Sequence, residues 1–282
     1  MRTKLLMILF LLFIMLTSYI YFGQERSIQT ITYFPIDAES SFTNATTDIA
    51  MTAVHDHKSY DIDWTSQSKS DKQVYLRQDA SLLFANGRLK GVASKWKENA
   101  AKIKLSKQFT SKDSSYYQAI SFHQGEIHTK EPIKSVQQMS HHELYVVHSP
   151  TKPIQSFSEP TNKFETDWQE VLATKTKQQL IYHWNQLMQH FQVNSSSYYS
   201  IPLTSLYRYT QTSLPEMSQA KTDQIMGQLW EGLYKNYIVP AASGTNQLDS
   251  SYIPLVLIAK DQSHLLVLYQ LDGKMQKLIQ QL

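Results

Sequence analysis

The feature that most constrains this chain is an uninterrupted apolar stretch near its start, which begins at Leu5 and ends at Phe22. Residues 5–22 include no charged residue, no proline and no glycine. As a helix they would extend about 27 Å, close to the thickness of the hydrocarbon core of a bilayer. The stretch therefore predicts a transmembrane anchor that holds the chain in a membrane.

The flanking charges predict the orientation of this anchor. Arg2 and Lys4 precede it, and basic residues beside an apolar helix tend to stay in the cytoplasm. We therefore expect residues 1–4 to form a cytoplasmic tip and the bulk of the chain to lie outside the cytoplasm, in a single-pass protein of the cell membrane. A cleaved signal peptide is the alternative and would give a secreted protein, but residues 18–24 contain no A-x-A-like cleavage triplet.

Composition excludes several classes of function. The 282 residues include no cysteine, which excludes disulfides, thiolate zinc sites and cysteine nucleophiles. The net charge is +3, of which Arg2 and Lys4 supply +2, so the rest of the chain is nearly neutral. Nucleic-acid binding needs a clustered basic face, and the basic residues here are scattered among acidic ones. We therefore predict no nucleic-acid partner.

Residues 23–149 are predicted to form a mainly β extracytoplasmic region. Residues 28–34 alternate and are β-branched, which indicates a strand that ends at Pro35. Two polar runs, residues 40–47 and 65–73, are typical of loops. A second hairpin is predicted over residues 116–128, with its bend at Gln124 and Gly125, and another strand over residues 142–148.

The clearest local prediction is a β-hairpin over residues 80–95. Asn86 and Gly87 supply the positive φ angles of a type I′ turn. A two-residue loop would place Phe84 opposite Leu89 and Leu82 opposite Gly91. Two alanines would then extend the same apolar face, Ala80 and Ala93.

The second half of the chain has a different pattern. Proline-containing residues 150–162 are predicted to be a linker or loop before an α+β region, residues 163–282. Apolar residues at helical spacing predict one amphipathic helix from about Thr166 and another over residues 215–237, capped by Ser213 or Ser218. Three apolar runs at the end predict an antiparallel meander, with residues 265–269 as its central strand and a turn at Asp272 and Gly273. The overall prediction is an α+β fold behind an N-terminal anchor helix.

One cluster has a spacing that could chelate a metal ion. His55 and His57 are two residues apart, so on a strand they would project from the same face about 6.6 Å apart. Asp61 and Asp63 could complete the ligand set. A solvated polar loop is the competing interpretation of these four residues.

No catalytic motif accompanies this cluster. The chain contains no G-x-S-x-G elbow, P-loop or G-x-G-x-x-G, so we predict no catalytic residue and no cofactor. The leading hypothesis is an extracytoplasmic binding, regulatory or assembly factor that uses exposed sheet edges to bind a protein or another envelope component. The alternatives are an envelope hydrolase, with or without a metal at His55 and His57, and a histidine-driven pH-responsive element.

Overall fold

The computed structural model describes residues 32–56, 58–128, 132–149, 152–243 and 250–282. The predicted anchor, residues 5–22, lies outside these residues, so it stays a prediction. Within the described residues, no helix has both the length and the apolarity needed to cross a bilayer. These residues form mostly antiparallel β-sheets with three α-helices, and they belong to one compact unit.

The first sheet contains six strands in the order β1-β2-β4-β5-β6, with β3 also paired to β2. All of these strand pairs are antiparallel. Their bounds are β1 Phe42–His55, β2 Ser59–Ala85, β3 Arg88–Ser111, β4 Ser115–Ile127, β5 Lys134–Ser149 and β6 Lys152–Phe157. Strand β2 is 27 residues long, and its first part pairs with β1 while its last part pairs with β4.

The polar runs predicted as loops are strands, so this prediction is wrong. Most of the first run lies in β1, and the second lies wholly within β2. Alternate serines of the second run, Ser66, Ser68 and Ser70, are each only 1% exposed. Small hydroxyl groups can be buried when they find hydrogen-bond partners, and the side chains of Ser68 and Ser70 bond to buried polar groups. Polarity therefore did not distinguish a loop from the inner face of a sheet.

The strand predicted over residues 28–34 is absent in its described part, residues 32–34. Its backbone is bonded to side chains rather than to a neighbouring strand. The Ser135 hydroxyl donates to the Phe34 carbonyl over 2.6 Å, and the Tyr33 N–H donates to Glu231 over 3.0 Å. These contacts replace the ladder of hydrogen bonds that a strand would make.

The hairpin prediction is confirmed, with one error of register. Asn86 and Gly87 have φ of 50° and 78° and join β2 to β3, with Phe84 opposite Leu89. A bulge between Leu83 and Phe84 then shifts the pairing by one residue, so that Gly91 faces Leu83 and not Leu82. The same shift places Ala93 on the opposite face of the sheet from the one predicted. There it belongs to a different hydrophobic core, which also contains Leu83.

The bend predicted at Gln124 and Gly125 is wrong, because β4 continues through both residues. Gly125 lies opposite Arg77 on β2 and Val136 on β5. A Cβ atom at Gly125 would lie 3.0–3.1 Å from side-chain atoms of Val74, Arg77 and Val136. The glycine permits a close approach of three strands and does not form a turn. The strand predicted over residues 142–148 is confirmed within β5, and part of the predicted linker or loop, residues 150–162, forms β6.

Both predicted amphipathic helices are present. Helix α1 spans Lys163–His190 and helix α2 spans Gln219–Leu233, with Ser218 as the N-cap of α2. A π-helical turn, Tyr234–Ile238, leads from α2 into the short helix α3, Val239–Ser243. Between the long helices, a 3₁₀ segment, Leu203–Thr210, lies close to β5.

The predicted C-terminal meander is also confirmed, and the structure adds one strand to it. The second sheet has the order β10-β9-β8-β7, and Asp272 and Gly273 have the positive φ of the predicted turn. Its strands are β7 Tyr198–Pro202, β8 Leu255–Ala259, β9 His264–Leu271 and β10 Lys274–Gln281. The main core lies between this sheet, α2 and one face of the first sheet.

A second core lies on the other face of the first sheet. It includes Ile62 and Trp64 from the first part of β2 together with Leu83 from its last part. Residues from both parts of one long strand can meet only if the sheet folds back on itself. This folding brings β1 beside β5, which lies at the other side of the sheet.

Candidate functional site

The candidate site is the cleft where β1 approaches β5. These two strands share no backbone ladder among the described residues, and side chains join them instead. Thr47 Oγ1 and Ser140 Oγ are 2.7 Å apart, and the Ile49 N–H donates to His142 Nδ1 over 3.0 Å. The sheet is thus closed by side chains, which leaves backbone groups of both strands without strand partners.

The unpaired backbone groups can be identified on β5. The Ser135 N–H donates to the Pro35 carbonyl over 2.8 Å, on the side of β5 that faces away from β4. Alternate residues of a strand direct their backbone groups to the same side, so Gln137, Met139 and His141 also direct theirs away from β4. Over the described ranges, the backbone N–H and C=O groups of these three residues have no hydrogen-bond partner. We call this stretch, residues 137–141, the free edge of β5.

The free edge lines a cleft of about 340 Å³. A stretch of β1, residues 45–47, forms one wall, and residues of the 3₁₀ segment with Gln211 form the other. A neighbouring cavity of about 220 Å³ shares Gln138, Met139 and Thr210 with the cleft. Together the two cavities follow the free edge along its length.

Side chains fix the free edge in position. The Gln137 side-chain amide donates to the Asp223 carbonyl of α2 over 2.6 Å, and the indole N–H of Trp230 lies 3.3 Å from the sulfur of Met139. The His141 ring stacks on Tyr207, and burial lowers the pKa of His141 below its ordinary value. The free edge is therefore held rigidly before any ligand binds.

A chain of hydrogen bonds leads from a buried carboxylate to this cleft. Asp79 on β2 lies opposite His123 on β4, and Asp79 Oδ2 is 2.8 Å from His123 Nδ1. His123 Nε2 is in turn 2.8 Å from the hydroxyl oxygen of Ser140 on β5. Asp79 and His123 are fully buried, whereas Ser140 is partly exposed and lines the cleft.

Arg77 compensates the buried carboxylate. Its Nη2 atom is 3.6 Å from Asp79 Oδ1, and both side chains are fully buried. Burial lowers the pKa of Arg77, and the neighbouring Asp79 opposes this shift. The Ser68 hydroxyl also donates to Asp79 Oδ2 over 2.6 Å. A carboxylate placed in this way accepts the Nδ1 proton of His123, which leaves Nε2 as an acceptor facing Ser140.

The predicted metal ligands lie elsewhere, at the turn between β1 and β2. His55 Nε2 is 2.8 Å from Asp61 Oδ2, and hydrogen bonds from Thr110 and then His55 lower the pKa of Asp61. Asp63 lies two residues further along β2, and His57 lies outside the described residues. The described part of the chain brings no three His, Asp or Glu side chains together in a way that could hold a metal ion. A metal at His55 and His57 stays a prediction.

Sequence reasoning did not find Asp79, His123 or Ser140. The contacts join residues 44 and 17 positions apart, and no motif links them. The available signal was a polar residue at an inward position of each of three neighbouring strands. That signal is usable only when the register of the strands is known.

Comparisons with known proteins do not place this chain in a family. No family model matches it, and neither does any curated protein sequence. The chain is similar in structure to "Solution structure of AT1g01470 from Arabidopsis Thaliana", with 8% identity and a TM-score of 0.26, over 45% of this chain and 95% of the other. A likeness this weak supports no argument about fold or function.

Proposed function

We propose that this chain is a membrane-anchored extracytoplasmic protein that binds an extended segment of a partner protein along the free edge of β5. It would act as a regulatory or assembly factor in the cell envelope. The observation that carries this proposal is the row of unpaired backbone groups at Gln137, Met139 and His141, which lie along a cleft. In strand addition, such groups supply affinity and the pockets for alternate side chains supply specificity.

The free edge has the properties that strand addition requires. Residues 137–141 span about 17 Å of extended chain and direct three pairs of backbone groups to the cleft. Proteins usually protect exposed edges with lysine, proline or a bulge, and residues 137–141 contain neither lysine nor proline and pair with β4 without a bulge. Their side chains are already fixed by α2 and the 3₁₀ segment, so binding would cost little ordering of this strand.

The location of the site outside the cytoplasm depends on the proposed anchor, residues 5–22. We expect the full-length chain to remain with membranes after alkaline extraction. Protease added to intact cells should remove the part beyond the anchor. Recovery of the full-length chain in the soluble cytosol, or digestion only after permeabilisation, would contradict this placement.

Site-specific photo-crosslinking tests the binding function in intact membranes. A photoreactive amino acid at Thr46, which is exposed and lines the cleft, should give a crosslinked product of defined mass. Val54 is a matched control, because it is 41% exposed on the same strand and does not line the cleft. Capture at Thr46 and not at Val54, with peptide mapping to an extended segment of the partner, supports the proposal. Equal products at both positions, or none at Thr46, would refute it.

The alternative predicted from the sequence, an envelope hydrolase with or without a metal at His55 and His57, also stays a prediction. No observation at the turn between β1 and β2 favours it over the free edge.

A further inference from the structure

We propose that Ser140 is a nucleophile for acyl transfer, with His123 as its general base and Asp79 as the residue that positions His123. The substrate class is an ester or amide carbonyl within an extended chain bound along the free edge of β5. This inference rests on the proposed function for the placement of that chain. It adds a chemical reaction to what is otherwise a binding site.

The geometry of the three side chains carries the inference. The contacts from Asp79 Oδ2 to His123 Nδ1 and from His123 Nε2 to Ser140 Oγ are both 2.8 Å. A nucleophile, a base and a carboxylate in this order form the arrangement that activates a serine hydroxyl. Such arrangements are recognised by geometry, because their order along the chain differs between folds.

The hydroxyl protons of the neighbouring residues favour the same assignment. The Thr47 hydroxyl donates to Ser121 Oγ over 2.6 Å, so it has no proton to give to Ser140. The Ser140 proton must therefore go to Thr47 Oγ1 or to His123 Nε2. Of these two acceptors the imidazole nitrogen is the stronger base, so it takes the proton when the oxygen attacks.

The burial pattern separates the groups by task. Ser140 is partly exposed in the cleft, whereas the exposed fractions of His123 and Asp79 are both 0%. A ligand in the cleft can therefore reach the nucleophile, and the base lies directly behind it, with His123 Nε2 2.8 Å from Ser140 Oγ.

The free edge also supplies a donor for the developing oxyanion. The backbone N–H of His141 follows Ser140 directly and has no partner in the described part of the chain. It is directed away from β4, toward the side where a ligand strand would lie. A carbonyl that accepts from this N–H lies beside Ser140, and backbone N–H groups are the common donors to a tetrahedral intermediate.

The reaction balances without any further reagent except water. Ser140 Oγ forms a bond to the carbonyl carbon, and its proton moves to His123 Nε2. The tetrahedral intermediate then breaks its bond to the leaving alcohol or amine, which takes the proton from His123 Nε2. Water, deprotonated by His123, attacks the acyl group, releases the acid and restores the Ser140 hydroxyl.

Labelling with a fluorophosphonate tests the proposal on the full-length chain in detergent micelles. Ser140 Oγ would bond to phosphorus, the P–F bond would break, and fluoride would leave. Mass spectrometry should find the adduct on Ser140, and S140A should abolish it. The variant H123Q should slow labelling by about 10²–10⁴-fold, the usual contribution of a general base.

Ser158 provides a matched control serine. The Ser158 hydroxyl is exposed and 3.5 Å from His142 Nε2. The carboxylate beside His142 is Asp48, whose side chain is 66% exposed and not buried like that of Asp79. We expect S158A to leave the labelling of Ser140 unchanged. If H123Q does not fold, the labelling rates of two serines in the wild-type chain still test the proposal. Ser140 should react with the fluorophosphonate about 10²-fold faster than Ser158.

The outcomes separate this inference from the proposed function. No adduct on Ser140 in a folded chain, or equal labelling rates in wild type and H123Q, would overturn the nucleophile. If crosslinking at Thr46 still captures an extended segment, the binding function stands without the reaction. If Ser140 is labelled but Thr46 captures nothing, the nucleophile stands and strand addition fails.

Discussion

Replacement of Arg77 by methionine tests the buried ion pair on which the site is built. Methionine keeps much of the apolar stem of the side chain and removes its charge and its donors. Arg77 donates to the carbonyl of Ala101 over 3.0 Å and to that of Gln124 over 3.3 Å. It also stands 3.6 Å from Asp79, with both side chains fully buried. The variant therefore leaves Asp79 as a buried charge without its cationic partner.

The expected cost follows from this burial. Removing one member of a buried ion pair typically costs about 3–5 kcal/mol, because the remaining charge is uncompensated. This is a large part of a total stability of about 5–15 kcal/mol. With a urea slope of about 3 kcal/mol per molar, the unfolding midpoint of R77M should fall by about 1–1.7 M.

Urea unfolding of the full-length chain in detergent, followed by tryptophan fluorescence, measures this shift. Arg208 is a matched control, because it is an exposed arginine of the cleft wall. We expect R208M to change stability by less than about 0.5 kcal/mol. A loss of less than about 1 kcal/mol in R77M would refute the reasoning, because Arg77 would then not compensate a buried charge.

Two further predictions concern a turn and a carboxylate. Gly87 and Gly273 both have positive φ, so alanine should cost about 1–2 kcal/mol at either position. A Cβ atom at Gly87 would also lie 3.0 Å from Leu180, whereas a Cβ atom at Gly273 would meet open space. G87A should therefore lower the thermal unfolding midpoint more than G273A. Equal shifts of the two midpoints would contradict the contact between Gly87 and Leu180. Hydrogen bonds from Ser40 and then Lys134 lower the pKa of Asp37. Its stabilisation is thus present above its unfolded pKa near 3.8 and is lost as pH falls through the lower folded value. An NMR titration should place the Asp37 midpoint below 3.8, and D37N should reduce the loss of stability in acid; a midpoint at or above 3.8 would count against these contacts.

Local turn chemistry and helical periodicity were sufficient to predict several elements of the fold. Asn86 with Gly87 and Asp272 with Gly273 each specify a turn that few other residues can adopt. The apolar spacing of α1 and α2 likewise follows from one period along the chain. These signals are local, so no tertiary information was needed to use them.

Other elements depended on contacts that a sequence does not display. Ser68 and Ser70 lie in a sequence typical of a loop, but they are buried on an inner face because Asp79 and Arg77 form hydrogen bonds with their hydroxyl groups there. A single bulge beside Phe84 changed which residues share a face. The candidate site required three strands in register, and it formed from residues with no common motif.

Amide hydrogen exchange tests the central claim, that the edge of β5 is free to receive another strand. In the unbound protein, the amides of Gln137, Met139 and His141 should exchange at least about 100-fold faster than those of Gln138 and Ser140, which face β4. Addition of a captured partner segment should then protect the three edge amides selectively. Equal protection of all five amides in the unbound chain would show that the edge is already occupied, and the proposed binding mode would be wrong.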